Sequence, residues 1–558
     1  MIEPDAHEEL RRLAAQYWDH DLRLSPMYAT LIGVHDYDHL FRDAGRDAED
    51  QRISALRRIA GEAEAIDPGE LTNEERITRD VLIFEASTQA DVTETRAAEW
   101  AVSHIFGSHL DIALYPSQMT FLEPGHAIAM VERLRHAATY FEDAAERLRD
   151  GVSKGMVPMR STAEKAASQV DEILAQDPSP ILDYQAPEGW DGEQAWRHDL
   201  ASVFADFTAP AMARWRDTVR EIVLPAARPD ERPGICNLPG GEETYTRLLR
   251  RFTTTPMTPA QIHQMGIDQI ERLADEYREV AGSVLGTTDL TEIFSRMRED
   301  PDLRCTEPAP ILAASRAAVD RAKAAMSHWF GRLPKADCVV VETSRGPAAH
   351  YLDPAADGSR PGTFFVNTAN PARWAAFQIE ALAFHEAIPG HHLHFGITVE
   401  LDGIPDFRRY ADLDAHAEGW ALYAERLADE MGLYGTPLDR LGMLSGDSLR
   451  AGRLVVDTGI HALGWTRRQA VEYLAENTPY SLAGIEEEVD RYTARPGQAT
   501  SYMSGRLEIE RMRRDAEVEL DDRFDLKGFH DTLLGSGPVP LEILDRLVQS
   551  WVASVEPA

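Results

Sequence analysis

Apolar residues recur at spacings of three and four along most of this chain, which is the pattern of helices that bury one face. Over residues 6–170 the pattern is rich in Ala, Glu and Arg. Clusters of Pro and Gly interrupt the chain at 177–180 and 224–241, where loops are expected. We therefore predict a mainly α protein with an N-terminal helical lobe, 1–240, and a second helical lobe, 241–558, that together form one intertwined unit.

Two short segments break the helical pattern, and both are rich in β-branched and aromatic residues. They are Cys338–Thr343 and Thr363–Asn367, and they predict a small sheet just before a buried helix. Asn370 and Pro371 signal the start of that helix. Its buried face is predicted from five apolar residues at spacings of three and four: Trp374, Phe377, Ala381, Phe384 and Ile388.

The segment His385-Glu386-Ala387-Ile388-Pro389-Gly390-His391-His392 lies on the same helix and carries the strongest chemical signal in the chain. Neutral imidazoles bind Zn²⁺ at about 2.0–2.1 Å, and a catalytic zinc site leaves one coordination position for water. A Glu beside the first His is placed to take a proton from that water. We predict His385 as a metal ligand and Glu386 as the general base.

The second histidine of this motif is displaced, because Pro389 occupies the position four residues after His385 that usually carries it. On an ideal helix His392 shares the face of His385 but lies about 10 Å further along, whereas His391 lies about 120° off that face. Pro and Gly permit a local bulge of the π type at Pro389-Gly390, which would rotate His391 into line. We favour His391 as the second ligand and keep His392 as the alternative.

A third ligand is expected from a helix predicted around Asp414–Glu425. Glu418 and Glu425 are seven residues apart, so they share one face of that helix. One carboxylate can ligate the metal while the other orients a histidine ligand from behind. These residues alone leave open which carboxylate takes which role.

Several segments together resemble the bacterial family called domain of unknown function 885. They are His385–His391, Glu418–Glu425, Arg453–His461 and Pro496–Gly505, with Ser25–Gly33 near the start, so the resemblance spans nearly the whole chain. The family is similar to zinc peptidases whose third ligand is Glu, such as angiotensin-converting enzyme and neurolysin. This resemblance implies a two-lobed, metallopeptidase-like helical fold with a small sheet beside the zinc-site helix and a deep substrate groove.

Carried over to this chain, the resemblance makes His385, His391 and Glu418 the ligands of one Zn²⁺ and Glu386 the base. Three more residues are alternative ligands or partners of the ligands: His392, His394 and Glu425. His394 departs from the family pattern, which usually has Gln at this position.

Residues predicted to contact a substrate surround these ligands. The resemblance assigns stabilisation of a developing oxyanion to Tyr502 and His461. The strand that begins with Gly362, Thr363 and Phe364 is expected to be an edge strand that captures a peptide by strand addition. Because guanidinium groups match carboxylates, the remaining candidates are Arg450, Arg453 and Arg506, with Gln498 beside them.

Composition narrows the class of protein. The chain has 558 residues with 43% hydrophobic and 27% charged residues, which is ordinary for a globular protein. A formal net charge of −37 argues against nucleic-acid binding, and no run of eighteen apolar residues predicts a membrane span. Three scattered cysteines, Cys236, Cys305 and Cys338, and a start without a signal region favour a reducing compartment, so a cytoplasmic location is expected.

These observations favour a zinc-dependent hydrolase that cuts peptide bonds in short peptides. Two alternatives stay open. One is a zinc amidohydrolase acting on a small non-peptide amide, which the same ligands would support. The other is a peptide-binding protein without catalysis, against which the intact Glu386 counts. The oligomeric state is not predicted.

Overall fold

The computed structural model describes residues 5–344, 346–355, 358 and 360–555. By spatial contact the chain divides into two compact units, Met1–Arg247 with Gly464–Arg467, and Leu248–Leu463 with Arg468–Ala558. The boundary predicted at residue 240 stays a prediction, because such a division does not test which segments fold independently. The prediction of a mainly α protein is confirmed.

The first unit is built from helices. They are α1 (Ala6–Leu24), α2 (Pro26–Leu31), α3 (Arg46–Ala65), α4 (Asn73–Glu94), α5 (Ser108–Leu114), α6 (Pro124–Ser153), α7 (Arg160–Ala175), α8 (Glu193–Val203), α9 (Ala209–Thr218) and α10 (Leu224–Ala226). A large hydrophobic core of this unit forms around the buried face of α6, from Ala127 to Leu148, against apolar residues of α7, α8 and α9. The division between the units falls within α11 (Gly241–Thr253).

The second unit contains the remaining helices and the sheet. The helices are α12 (Pro259–Val284), α13 (Leu290–Glu299), α14 (Pro308–Trp329), α15 (Ile379–Glu386), α16 (His391–Val399), α17 (Asp406–Arg409), α18 (Asp414–Glu430), α19 (Pro437–His461), α20 (Arg467–Asn477), α21 (Leu482–Ala494), α22 (Ser501–Leu520), α23 (Leu526–Leu534) and α24 (Leu541–Ser554). The long helices α12 and α19 pack along each other, and α18 packs along α22.

Helix α19 is the centre of the second unit. Every residue from Leu441 to His461 is buried, so this helix is enclosed on all sides. A fully enclosed helix is normally apolar, yet this one carries Asp447, Arg450 and Arg453. Buried charges are costly unless they are paired, so their partners determine much of the surrounding structure.

A three-stranded sheet precedes the helix that bears the His-Glu motif. Its strands are β1 (Cys338–Thr343), β2 (Ala349–Leu352) and β3 (Gly362–Asn367), in the spatial order β1-β3-β2. β1 runs parallel to β3 from the pair Cys338–Gly362 to the pair Thr343–Asn367. β2 runs antiparallel to β3 from Ala349–Val366 to Leu352–Thr363. The predicted strands β1 and β3 are confirmed, and β2 is a strand that the sequence pattern missed.

The expectation that β3 is an edge strand is wrong. β1 pairs with one side of β3 and β2 pairs with the other, so the backbone groups of Gly362, Thr363 and Phe364 already have partners within the sheet. Strand addition needs a free edge. A peptide therefore cannot add to β3, and the edges of this sheet are β1 and β2.

The helix predicted to start at Pro371 begins later, at Ile379. The residues before it form two short 3₁₀ turns, Pro371–Arg373 and Ala376–Gln378. Between them Trp374 is extended, because its indole Nε1 donates to the Asn367 carbonyl and its own carbonyl accepts from the Cys305 amide at 3.0 Å. The predicted apolar face is nevertheless buried at all five positions: Trp374, Phe377, Ala381, Phe384 and Ile388.

Among the described helices, none is both long enough and apolar enough to cross a membrane.

The fold predicts an acid sensitivity centred on His530. This histidine is fully buried, with Nδ1 3.0 Å from the Trp329 carbonyl oxygen and Nε2 3.0 Å from the Tyr423 hydroxyl. Burial lowers the pKa of His530 to about 4, whereas the unfolded chain has a His pKa of about 6.5. Between these values only the unfolded chain takes up the proton, so this contribution to stability is present at neutral pH and is lost as the pH falls.

Replacing His530 by Gln should remove this dependence while keeping a polar side chain. We expect acidification from pH 7 to 5 to lower the unfolding free energy of the wild type by about 2 kcal/mol more than that of His530→Gln. Urea unfolding of both proteins at the two pH values measures the difference. Identical losses in the two proteins would contradict the buried neutral state of His530.

Candidate metal centre

The helix that carries the His-Glu motif is interrupted, which differs from the bulged continuous helix expected from the sequence. α15 ends at Glu386 and α16 begins at His391. The four residues between them, Ala387–Gly390, form a turn with a cis peptide bond between Ile388 and Pro389. The indole Nε1 of Trp420 holds the turn from α18 by donating to the Pro389 carbonyl at 3.0 Å.

Gly390 allows this turn to fold back on the end of α15. A Cβ atom at Gly390 would lie 1.9 Å from the carbonyl oxygen of His385 and 2.4 Å from that of Phe384. Any larger residue would therefore force the two segments apart. The close approach brings the start of α16, and with it His391, next to His385.

Three potential ligand atoms converge at this interruption. Nε2 of His385 lies 3.3 Å from Oε2 of Glu418, and Nε2 of His391 lies 3.4 Å from the same oxygen. The two imidazole rings are nearly perpendicular, at 83°. In a tetrahedral zinc site with bonds of about 2.0–2.1 Å, neighbouring ligand atoms are about 3.3–3.4 Å apart. The observed spacing matches that geometry.

The hydrogen bonding of the cluster also fits a cation. Oε2 of Glu418, the oxygen that faces both imidazoles, is buried and has no hydrogen-bond partner. Buried polar atoms are rarely left in this state, and a carboxylate oxygen facing two imidazole nitrogens is a donor set that suits Zn²⁺. Three protein ligands would leave a fourth position open, as catalytic zinc sites require.

Glu425 supports the cluster from behind. Its Oε1 lies 2.8 Å from Nδ1 of His385, and its side chain is almost fully buried. This contact fixes the ring of His385 with Nε2 directed at the cluster. Residue spacing left the roles of the two carboxylates open, and the family resemblance assigned Glu418 to the metal. The structure places Glu418 among the imidazoles and Glu425 behind His385.

The packing of α18 against α22 brings Glu418 close to the start of α22. A Cβ atom at Gly419 would lie 2.5 Å from the carbonyl carbon of Gly505, and one at Gly505 would lie 1.9 Å from the carbonyl oxygen of Ala415. The two helices therefore touch backbone to backbone. Glu418 directly precedes Gly419, and Tyr502 lies one turn before Gly505, so both residues lie near this contact.

Burial and charge shape the pKa values in the cluster. Burial opposes the charged form of His385, but the neighbouring carboxylates of Glu418 and Glu425 outweigh it and raise the pKa of His385 to about 9. Burial likewise opposes ionisation of Glu418, yet His385 and His391 hold its pKa well below the usual range. For Glu386 burial dominates and raises the carboxyl pKa, which moves it toward the range in which a carboxylate serves as a general base.

Tyr502 lies beside the cluster, with its ring stacked at 6.5 Å from that of His385. Its hydroxyl accepts a hydrogen bond from Nη2 of Arg491 at 3.0 Å. The same Nη2 donates to Oε1 of Gln498 at 2.9 Å, and Nε2 of Gln498 lies 3.4 Å from Oδ1 of Asp414. Tyr502 and Gln498 are thus brought together, whereas Arg491 is a member of this group that the sequence analysis missed.

Arg450 and Arg453 also approach the ring of Tyr502. Their guanidinium carbons lie 5.9 and 4.6 Å from its centroid. Nη2 of Arg450 is 3.8 Å from Oε1 of Glu425, the same carboxylate oxygen that contacts His385. The structure therefore gathers two of the three predicted arginines around Tyr502.

The two histidines predicted as alternative ligands, His392 and His394, lie outside the cluster. Both ring nitrogens of His392 have partners, with Nδ1 2.8 Å from the Tyr351 hydroxyl and Nε2 3.2 Å from the Ala336 carbonyl oxygen. His394 is fully buried and packs its ring against His416 at 4.7 Å. The three converging atoms belong to other residues, so neither histidine is placed in the cluster.

His461 and Arg506 are fully buried and paired within the protein. Nε2 of His461 lies 3.1 Å from the carbonyl oxygen of Tyr492 and donates to it. Arg506 forms an ion pair with Asp447, which is also fully buried and which pairs with Arg426 as well. Both residues therefore have partners within the protein, and neither is part of the site that we propose.

A second group of potential ligands, His35, Asp38 and His126, lies in the first unit. The rings of His35 and His126 are stacked, 3.7 Å apart and 5° from parallel. Their nitrogen lone pairs therefore lie in nearly parallel planes, whereas the lone pairs of two ligands of one ion must point to a common centre. Asp38 already accepts hydrogen bonds from Thr30 and His35. We assign no metal to this group.

A family model described as "bacterial protein of unknown function (DUF885)" matches residues 26–548. The chain belongs to the DUF885 family. A search of curated proteins finds no match to its sequence.

Two solved structures share the fold of this DUF885 protein. A putative lipoprotein from Colwellia psychrerythraea superposes with a TM-score of 0.89 at 24% identity, covering 98% of this chain and 99% of that one. A putative lipoprotein of unknown function from Shewanella oneidensis superposes with a TM-score of 0.78 at 20% identity, covering 97% and 99%. The cytoplasmic location expected from the sequence is contradicted by these two structures, both of which are described as putative lipoproteins, a class of protein that is anchored to membranes.

The site predicts different roles for two adjacent histidines. His391→Ala removes an atom of the converging set and should abolish stoichiometric zinc binding, whereas His392→Ala should keep one zinc ion per chain. Elemental analysis of both variants after zinc loading and dialysis measures this. Loss of zinc from His392→Ala alone would place the second ligand at the other histidine.

Glu425→Gln tests the support behind His385. Removing the charge of such a supporting carboxylate typically weakens metal binding by about 10- to 100-fold, and we expect a loss of that size here. The matched control is Glu430→Gln on the same helix, a half-exposed carboxylate paired with Arg513. Zinc affinity measured by competition with a chromophoric chelator should separate the two. Equal affinities would show that Glu425 has no part in binding.

Proposed function

We propose that this protein is a zinc-dependent peptidase that hydrolyses peptide bonds in short peptides. The observation that carries the proposal is the convergence of Nε2 of His385 and Nε2 of His391 on Oε2 of Glu418, at 3.3 and 3.4 Å. The same proposal includes two further features. The chain is related to zinc peptidases with a Glu ligand, and it has the substrate groove that this relationship implies.

Zinc bound by His385, His391 and Glu418 would supply Lewis-acid activation of the scissile carbonyl and of water. Glu386, which follows His385 directly, takes the proton of the attacking water and passes it to the leaving amine. The raised pKa of Glu386 supports the first half of this task, because a carboxylate with a higher pKa is a stronger base toward the attacking water.

Tyr502 stabilises the oxyanion in this proposal. Because Arg491 donates to the tyrosine oxygen, the hydroxyl proton of Tyr502 remains available for donation to a substrate. The positive charge of Arg491 also makes that hydroxyl a stronger donor. A hydrogen-bond donor that already points at the developing negative charge typically raises the reaction rate about a hundredfold or more.

The peptide backbone is bound along β2 in this proposal. β2 is paired with β3 on one side and lies at an edge of the sheet. It also contacts α15, and its residue Tyr351 reaches His392 beside the ligand His391. A substrate added to this edge runs past the cluster, which is how β-strand addition positions an extended peptide.

The proposal is tested with a mixed peptide library and mass spectrometry. Zinc-loaded wild type should cleave, and Glu386→Gln should bind the same amount of zinc but cleave at least about a hundredfold more slowly, because general-base catalysis contributes on that order. Glu430→Gln serves as the control for a carboxylate remote from the cluster. Equal cleavage by Glu386→Gln and wild type would contradict the role of the base, and no cleavage by wild type would contradict the peptidase.

A further inference from the structure

Three guanidinium groups surround the ring of Tyr502. The guanidinium carbons of Arg450, Arg453 and Arg491 lie 5.9, 4.6 and 5.9 Å from the ring centroid. Arg450 and Arg453 come from the enclosed helix α19, and Arg491 comes from α21. Such a group is unexpected in a chain with 94 acidic and 57 basic side chains, because random pairing would surround each arginine with carboxylates.

The carboxylates near this group do not balance its charge. Glu488 accepts from Nε and Nη2 of Arg453, with Oε2 at 3.1 and 2.8 Å, and its other oxygen is 3.8 Å from Arg491. Glu425 is 3.8 Å from Arg450 but makes its short contact with His385. Three guanidinium groups thus share Glu488 and part of Glu425, which leaves the group with excess positive charge.

Two nitrogens of the group lack partners. Nη1 of Arg453 and Nε of Arg450 are buried without a hydrogen bond, and the two residues are only 4% and 7% exposed. A buried guanidinium nitrogen without an acceptor is costly. An anion bound here would satisfy these donors and neutralise the excess charge.

Arg491 gives solvent access to this group, since its side chain is 25% exposed. The group is also close to the proposed reaction centre. The ring of Tyr502 is 6.5 Å from that of His385, and the guanidinium carbon of Arg453 is 4.6 Å from the Tyr502 centroid. An extended peptide advances about 3.3–3.6 Å per residue, so about three residues are enough to cover both distances together.

We infer that Arg450, Arg453 and Arg491 form a subsite for the C-terminal carboxylate of a peptide, so that cleavage falls one to three residues from a free C-terminus. This inference rests on the proposed peptidase function and narrows its substrate class. A carboxylate matches the planar fork of a guanidinium, and the C-terminus is the carboxylate that every unmodified peptide carries.

Another role for the same arginines is purely structural. In that case they only hold the ring of Tyr502 through cation–π contacts. Such a role affects all peptides equally, whether or not their C-terminus is charged. Discrimination between a free carboxylate and an amide therefore separates the two roles.

The test uses binding to the zinc-loaded Glu386→Gln variant, so that it does not depend on catalysis. The probes are N-acetyl-trialanine with a free C-terminus and the same peptide as its C-terminal amide, titrated by calorimetry. We expect the free acid to bind about tenfold or more tightly, which is the effect of one charge-assisted hydrogen bond. Adding Arg491→Ala should remove most of that preference.

Two further variants guard against misfolding. Arg453→Lys keeps the charge but loses the fork, and it should reduce the preference for the free acid without unfolding the protein. Arg514→Ala, on α22 with its side chain 63% exposed, is the matched control and should keep the preference. Equal binding of acid and amide, a preference unaffected by Arg491→Ala and Arg453→Lys, or no binding of either peptide at millimolar concentration would overturn the subsite.

Cleavage provides a separate readout. If wild type hydrolyses peptides but cuts acid and amide equally and far from the C-terminus, the subsite is wrong while the peptidase stands. If the free acid binds preferentially to Glu386→Gln but wild type cuts nothing, the subsite stands and the peptidase is wrong.

Discussion

A four-residue turn separates Glu386 from His391, and the candidate metal centre depends on that turn. Without it, residue spacing on a helix would separate the two imidazoles by too large an angle for one ion. The turn requires Gly390, whose α-carbon approaches the carbonyl of His385 so closely that no side chain fits. Trp420 then fixes the turn to α18, the helix that also presents Glu418 and Glu425. One short segment thus couples both imidazoles to both carboxylates.

Buried charges on α19 extend this organisation through the second unit. Asp447 pairs with Arg426 and Arg506, which joins α18, α19 and α22. Asp457 accepts the backbone N–H of Gly497 at 3.0 Å and so anchors the segment that leads into α22 and Tyr502. Breaking such buried pairs typically costs about 3–5 kcal/mol. The positions of Glu418 and Tyr502 are therefore held by electrostatics as well as by close helix packing.

Local patterns in the sequence predicted the features that depend on local spacing. The helical class, strands β1 and β3 and the buried face of Trp374, Phe377 and Phe384 all follow from periodicity. The gathering of His385, His391 and Glu418 follows from a motif and a family resemblance. Features set by distant contacts were missed or wrong. β2 is only four residues long, and its pairing made β3 a central strand.

The start of α15 and the composition of the arginine group also depend on contacts between residues that are distant in sequence. The Asn367 carbonyl and the Cys305 amide hold Trp374 extended and delay the helix, and neither partner is adjacent to it in sequence. Arg491 joins Tyr502 only because α21 packs against α19, and no motif marks it. The carboxylates Glu418 and Glu425 are equivalent in spacing, so spacing alone does not separate them; the family resemblance assigns Glu418 to the metal, and the structure places it between the two imidazoles.

The most direct test of the central claim is X-ray absorption at the zinc edge of the zinc-loaded protein. The arrangement of His385, His391 and Glu418 predicts a four-coordinate ion with nitrogen and oxygen ligands at about 2.0–2.2 Å and the outer-shell scattering of two imidazoles. His391→Ala should lose one imidazole contribution if it binds zinc at all. Sulfur scattering at about 2.3 Å, or a shell of oxygen atoms without imidazole, would contradict the assigned ligands.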